Sequence, residues 1–134
     1  MATLAGCARK SPISADTAIR MVTAIPEVVD WCGLVERNGN RTVIGVSQAG
    51  PTLAIPGNPA SYWTVYSHEV MSTHFPRFET FLVREDGHEI LVHNFADHGK
   101  QFLTLAEWRA LRQEWRTAAA PLASSPRTDA AASP

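Results

Sequence analysis

At 134 residues, 45% of them hydrophobic and 19% charged, the chain has the length and make-up of one globular domain with a modest core. A formal net charge of -1 and a pI near 6.5 supply no basic field to draw nucleic acid or an anionic lipid surface from a distance, so neither is an expected partner. No run approaches the roughly 20 consecutive apolar residues of a membrane-spanning helix. Of the two cysteines, Cys7 and Cys32, the first precedes any fold signal, so a disulfide framework is not expected.

The chain opens Met1-Ala-Thr-Leu4-Ala5-Gly6-Cys7-Ala8-Arg9-Lys10-Ser11-Pro12. Leu4-Ala5-Gly6-Cys7 resembles the lipobox of bacterial lipoproteins, where a small apolar tripeptide precedes a cysteine that is acylated and becomes the mature first residue. Small residues there fit an extended peptide into a peptidase groove, as in secretory signals generally. The resemblance implies lipidation at Cys7 and a polar tether over residues 8–12. Ala8 after the cysteine implies the outer membrane. It also predicts a charged segment and an apolar segment upstream of Met1. The alternative is an unmodified N-terminus with an inert thiol. A lipid on Cys7 would anchor a soluble domain to the membrane without a spanning helix.

Residues 14–24 predict a first amphipathic helix. Ser14 suits the N-cap, Asp16 lies in the first turn, and Ala15, Ala18, Ile19 and Val22 share a face. Pro26 ends it and suits the first position of another helix. Val28, Trp31, Cys32 and Val35 then recur at helical spacing, predicting a second helix over residues 27–37, closed by Gly39. The competing reading makes Asn38-Gly39 a two-residue hairpin turn between strands. Residues 42–47 predict a strand. Residues 48–60, with Gly50, Pro51, Pro56, Gly57 and Pro59, predict a connecting loop or irregular edge, and a ligand loop is the functional alternative.

The aromatic and β-branched stretch over residues 62–70 predicts a strand. Alternation puts Tyr62, Thr64, Tyr66, His68 and Val70 on one face and Trp63, Val65, Ser67 and Glu69 on the other, so both faces carry bulk and one must pack on helices. Residues 78–83 and 89–93 around Asp86-Gly87 predict a β-hairpin. Residues 95–100 read as a turn. Thr104-Leu-Ala-Glu107 is a capping box opening a helix that runs to about Arg116. Leu105, Ala106, Trp108, Leu111 and Trp115 form its apolar stripe and predict two core tryptophans, with Glu107, Arg109, Arg112 and Arg116 outward. From Ala118 the Ala/Ser/Pro/Thr composition predicts a disordered tail.

The organisation is therefore a tether over residues 1–12, one domain over 13–117 and a tail over 118–134. The expected fold class is α+β: an antiparallel sheet of four to five strands, with N-terminal helices and a C-terminal helix packed on one face.

The helix beginning Ile13-Ser-Ala-Asp-Thr-Ala-Ile, the strand Tyr62-Trp-Thr-Val-Tyr, and the pair Arg77-Phe-Glu-Thr-Phe-Leu-Val and Asp86-Gly-His-Glu-Ile-Leu-Val resemble small exported PepSY-like proteins over residues 14–94. In those, a helix packs on an antiparallel sheet and an acidic-x-Gly turn joins late strands. The resemblance implies a binding or inhibitory module on the periplasmic side of the envelope, without catalysis or cofactor, whose partner is an unknown protein or peptide. It brings no catalytic residues to carry over.

Side-chain chemistry offers two rivals. His68, His74, His88, His93 and His98, with Glu69, Glu89 and Asp97 nearby, are of zinc-ligand type and would suit a small metal-dependent hydrolase. Because H-E-x-x-H spacing is missing, they read instead as surface and turn histidines, with no metal. Cys32 could pair with a histidine as a nucleophile, or be a small apolar core residue. Ser67-His68-Glu69 is no triad, since adjacent strand residues point to opposite faces. Tyr62, Tyr66 and His68 make the candidate binding surface, with core packing as the alternative. An immunity protein blocking a cell-wall hydrolase through an exposed aromatic or acidic loop is the other binding reading.

Overall fold

A computed structural model describes residues 11–95 and 99–132, with residues 119–132 described by backbone only. Cys7, the tripeptide before it and most of the tether lie outside the described residues, as do Asp97 and His98.

Helix α1 (Ala15–Thr23) starts where Ser14 accepts a hydrogen bond from the Thr17 amide at 3.1 Å, satisfying one of the free donors of the first turn. Helix α2 (Pro26–Arg37) takes Pro26 as its first residue. Residues 27–37 are therefore helical, and Asn38-Gly39 is a helix stop rather than a hairpin turn. The Gly39 amide donates to Glu36 O at 2.9 Å and the Asn40 amide to Val35 O at 3.1 Å. That double closure needs a left-handed residue, supplied by Gly39 at φ +83°.

The strands are β1 (Arg41–Gly45), β2 (Thr52–Leu53), β3 (Ser61–Val70), β4 (Arg77–Arg84), β5 (Ile90–His93) and β6 (Phe102–Thr104). All pair antiparallel in the order β1-β3-β4-β5-β6, and β2 adds to the same edge of β3 as β1. The sheet thus has six strands, one more than the upper end of the expected four to five, because the short pieces β2 and β6 add to the four longer strands. Between β1 and β2 the Gln48 side chain stands in for a strand, accepting from the Thr64 amide at 2.6 Å and donating to Tyr62 O at 3.3 Å. In the β4–β5 hairpin, Gly87 adopts φ +78° and Asp86 accepts from Arg84 Nε and the His88 amide, both at 2.9 Å.

Helix α3 (Leu105–Ala132) opens with the reciprocal capping box its sequence predicts. Glu107 Oε1 accepts from the Thr104 amide at 2.8 Å and Thr104 Oγ1 from the Glu107 amide at 3.1 Å. Its helical backbone continues past Ala118 to Ala132, where the composition predicts a disordered tail; the many alanines there favour helix.

Helices lie on one side of the sheet. Ala18, Val22, Ile25 and Val28 meet Trp63, Val65, Phe81, Val83, Val92, Leu103 and Trp108 in the main core. Trp108 is edge-on to Phe81 at 5.6 Å. Trp115 is not in that core: it lies about two helical turns beyond Trp108 on α3 and is 52% exposed. Arg112 does not simply face outward, since its guanidinium lies 5.0 Å over Trp108 and 5.5 Å over Phe78. On the other side, Tyr62, Leu82 and Leu91 form a second cluster, covered by Ala54, Ile55, Ala60 and Phe102. The proline-rich connection is the lid of that cluster.

The chain enters the sheet at its hairpin end. The Ile13 amide donates to Glu85 O at 2.9 Å, and Trp63 Nε1 donates to Ile13 O at 2.9 Å. Among the described residues, no helix is long and apolar enough to cross a membrane.

Candidate recognition cleft

The pairing of β3 with β4 slips between Tyr66 and His68. Tyr66 faces Thr80 and His68 faces Arg77, so Phe78 and Glu79 together oppose Ser67. Such a β-bulge re-aims side chains. Phe78 and Glu79 both turn to the helix side, where Phe78 stacks on Trp31 at 4.8 Å and Trp108 Nε1 donates to Glu79 Oε2 at 3.1 Å. The bulged backbone is satisfied by the buried Ser67 hydroxyl, which donates to Glu79 O at 2.6 Å and accepts from the Glu79 amide at 3.1 Å. Without that hydroxyl, a peptide group in the core would lack a partner.

The bulge sets a carboxylate at the base of a cleft of about 410 Å³ between β4, β5 and α3, whose walls include Phe78, Val92, Leu103, Trp108 and Leu111. Phe95 and Trp115, each 52% exposed, form its rim. A neighbouring hollow of about 520 Å³ runs along α3 past Lys100, Glu107 and Glu114, sharing Leu103, Leu111 and Trp115 with the first. Burial pushes the Glu79 pKa up, against the opposing pull of the Trp108 hydrogen bond and of Arg112 and Arg77. Among the described residues, only Trp108 hydrogen-bonds to this carboxylate, leaving Oε1 without a protein donor.

Around the sheet edge, the Arg77 guanidinium sits 4.2 Å over the Phe95 ring, Phe95 packs on His93 at 3.9 Å, and His93 stacks on Phe102 at 4.9 Å. Burial and then the positive charge of Arg77 lower the His93 pKa. Phe95 therefore belongs both to the cleft rim and to a column of rings on the open face.

The sequence-derived surface is divided by the structure. Tyr62 is fully buried under the proline-rich connection, its hydroxyl donating to Glu89 Oε1 at 2.7 Å, so its side chain is withdrawn from any surface. Tyr66 and His68 are half-buried on the open face and stack at 6.4 Å, with His68 paired to Arg77. Those two lie beside the ring column. His74 and His88 are exposed, the first against Thr73 and the second against Asp86. Among the described residues, no three His, Cys, Asp or Glu side chains are grouped so as to hold a metal ion. Cys32 is half-buried on α2, its thiol 3.6 Å from Thr42 Oγ1. Ser67 and His68 lie on opposite faces of the sheet.

Glu79, Phe95 and Trp115 carry the cleft and none was a candidate in the sequence. One signal for it was present: Phe78 and Phe81, two large apolar residues three apart, can share a buried face only if the strand breaks its period of two. No family model, curated protein or solved structure matches this chain.

Proposed function

We propose that the chain is a binding or inhibitory module without catalytic activity of its own, held at the periplasmic side of a bacterial envelope, outer membrane favoured, through acylated Cys7. Its partner is a protein or peptide, and it needs no cofactor, metal or nucleic acid. The observation that carries this reading is the cleft: aromatic walls, a rim of two half-exposed rings and one desolvated carboxylate are the furniture of recognition sites. Support for the anchored arrangement comes from the entry of the chain at Ile13, bound to the Glu85 backbone. Glu85 lies six residue steps along the chain from Glu79, roughly 20 Å at the usual rise, so a tether at one end leaves the cleft at the other.

A second reading, an immunity protein plugging a cell-wall hydrolase, is favoured by Phe75. This ring is 65% exposed in the connection between β3 and β4, as a loop inserted into an enzyme cleft would need.

The test has two arms. Labelled fatty acid should be incorporated into the wild-type protein in a bacterial host with its upstream coding sequence, and lost in Cys7→Ser; label-free wild type would end the anchor reading. Envelope proteins cross-linked to wild type, then purified and titrated, should bind saturably and lose about tenfold in affinity to a Phe95→Ala/Trp115→Ala variant, as loss of two rim rings at an interface implies. Unchanged affinity for that variant with loss on Phe75→Ala would transfer the function to the loop.

A further inference from the structure

Within the reading of the cleft as a partner site, its charge and shape select a chemical class. We infer that the cleft takes a lysine or arginine side chain presented by a polypeptide partner, the charged head on Glu79 Oε1 and the stem along Trp108, Leu111 and Trp115.

Three observations carry this. Glu79 has one oxygen engaged by an indole N–H and the other without a protein donor among the described residues, so the site offers an acceptor. Arg77 lines the same cleft with its guanidinium over the rim ring of Phe95 at 4.2 Å and makes no hydrogen bond to Glu79 among the described residues. Arg112 lies over Trp108 and Phe78 and does not line the cleft. Along the joined hollows the Lys100–Glu107 pair at 2.8 Å cancels, which leaves Glu79 and Glu114 against Arg77 in the lining, with Arg112 acting on Glu79 from beside Trp108. At the rim, where Arg77 covers Phe95, Trp115 adds a ring face of the kind that attracts ammonium and guanidinium groups. A long aliphatic stem with a charged tip matches apolar walls that end on a carboxylate.

Burial already holds the Glu79 pKa up in spite of Arg77, Arg112 and Trp108. An incoming cation adds to the pull of Arg112 and Arg77, so binding should favour the ionised carboxylate and weaken as pH falls through its titration. The groups facing Glu79 are Arg77 on its own strand, Arg112 and Trp108 on α3, and the non-titrating Ser67 on β3.

The test uses the full chain, labelled at its indole nitrogens and titrated at neutral pH with capped pentapeptides of alanine carrying lysine, norleucine or glutamate at the centre. The lysine peptide should move the Trp108 and Trp115 indole signals saturably, with the norleucine peptide about tenfold weaker, the scale of one charge-assisted hydrogen bond. Glu79→Gln, which keeps an acceptor for Trp108, should bring the lysine and norleucine affinities together. Equal affinities for lysine and norleucine, or tighter binding of glutamate, would overturn the cation assignment while leaving a peptide-binding cleft. Indole signals unmoved by all three peptides would overturn both. Trp115→Ala, at an exposed position, supplies a folded variant that should weaken the norleucine peptide through lost apolar contact and the lysine peptide further through the lost ring face.

Discussion

The two faces of the sheet are buried by different means. On the helix side, Trp63, Val65, Phe81, Val83, Val92 and Leu103 meet three helices in a continuous apolar layer, and the Glu79 carboxylate is held there by Trp108. On the other side, the chain covers Tyr62, Leu82 and Leu91 with a proline-rich connection, while half-buried Tyr66, His68 and His93 lie on one another and on phenylalanine rings. Helices carry their own backbone hydrogen bonds and can cover a sheet completely. A loop needs outside partners for its backbone, so it covers less and leaves the remaining face to amphipathic side chains.

Three measurements would break or sharpen this contrast. The largest effect is expected on the helix side. Trp108→Ala removes a side chain only 1% exposed that contacts both Phe78 and Phe81, and should cost about 3–5 kcal/mol in denaturant unfolding; a loss below about 1 kcal/mol would mean that α3 does not seal the core. On the loop-covered side, Tyr62→Phe keeps the ring and loses only the hydroxyl bonded to Glu89 at 2.7 Å. The expected cost is about 1–2 kcal/mol, at the upper end for a charged acceptor. A cost equal to that of Trp108→Ala would erase the distinction between the faces.

The smallest effect concerns pH. With its folded pKa raised by burial, Glu79 binds its proton more tightly in the native state than in the unfolded chain. Its contribution therefore favours folding at low pH and diminishes as pH rises from the ordinary glutamate range through the folded value. Glu27 acts in the opposite sense. Its bidentate pair with Arg109, at 2.8 and 3.1 Å, depresses its pKa and contributes stability that is lost as pH falls through the folded value. Unfolding free energies of wild type and Glu79→Gln, compared from pH 4 to 7, should diverge with rising pH in favour of the variant; parallel curves would show that the carboxylate is not desolvated.

Local chemistry was enough to write much of the fold in the sequence. Ser14, Pro26, the Thr104/Glu107 box and Asp86-Gly87 each act within a few residues, so the starts of three helices and one hairpin follow from spacing alone. The apolar alternation of residues 62–70 likewise made one face pack on helices. It could not choose the face, because Tyr62 and Trp63 both carry large rings; in the folded chain Trp63 and Val65 face the helices, and Trp63 reaches Ile13 O, fifty residues away in the chain. The missed strand β6 is three residues long and exists because β5 offers it an edge.

Apart from the Phe78 and Phe81 spacing, the cleft was decided by tertiary structure. Its carboxylate faces inward because two residues of β4 oppose Ser67, one wall comes from α3, and its rim combines Phe95 and Trp115. A sequence fixes what each segment can become under forces acting over a turn or two. Which side chains share one desolvated space depends on register and on packing between distant segments, and those are decided only when the whole sheet and its helices form together.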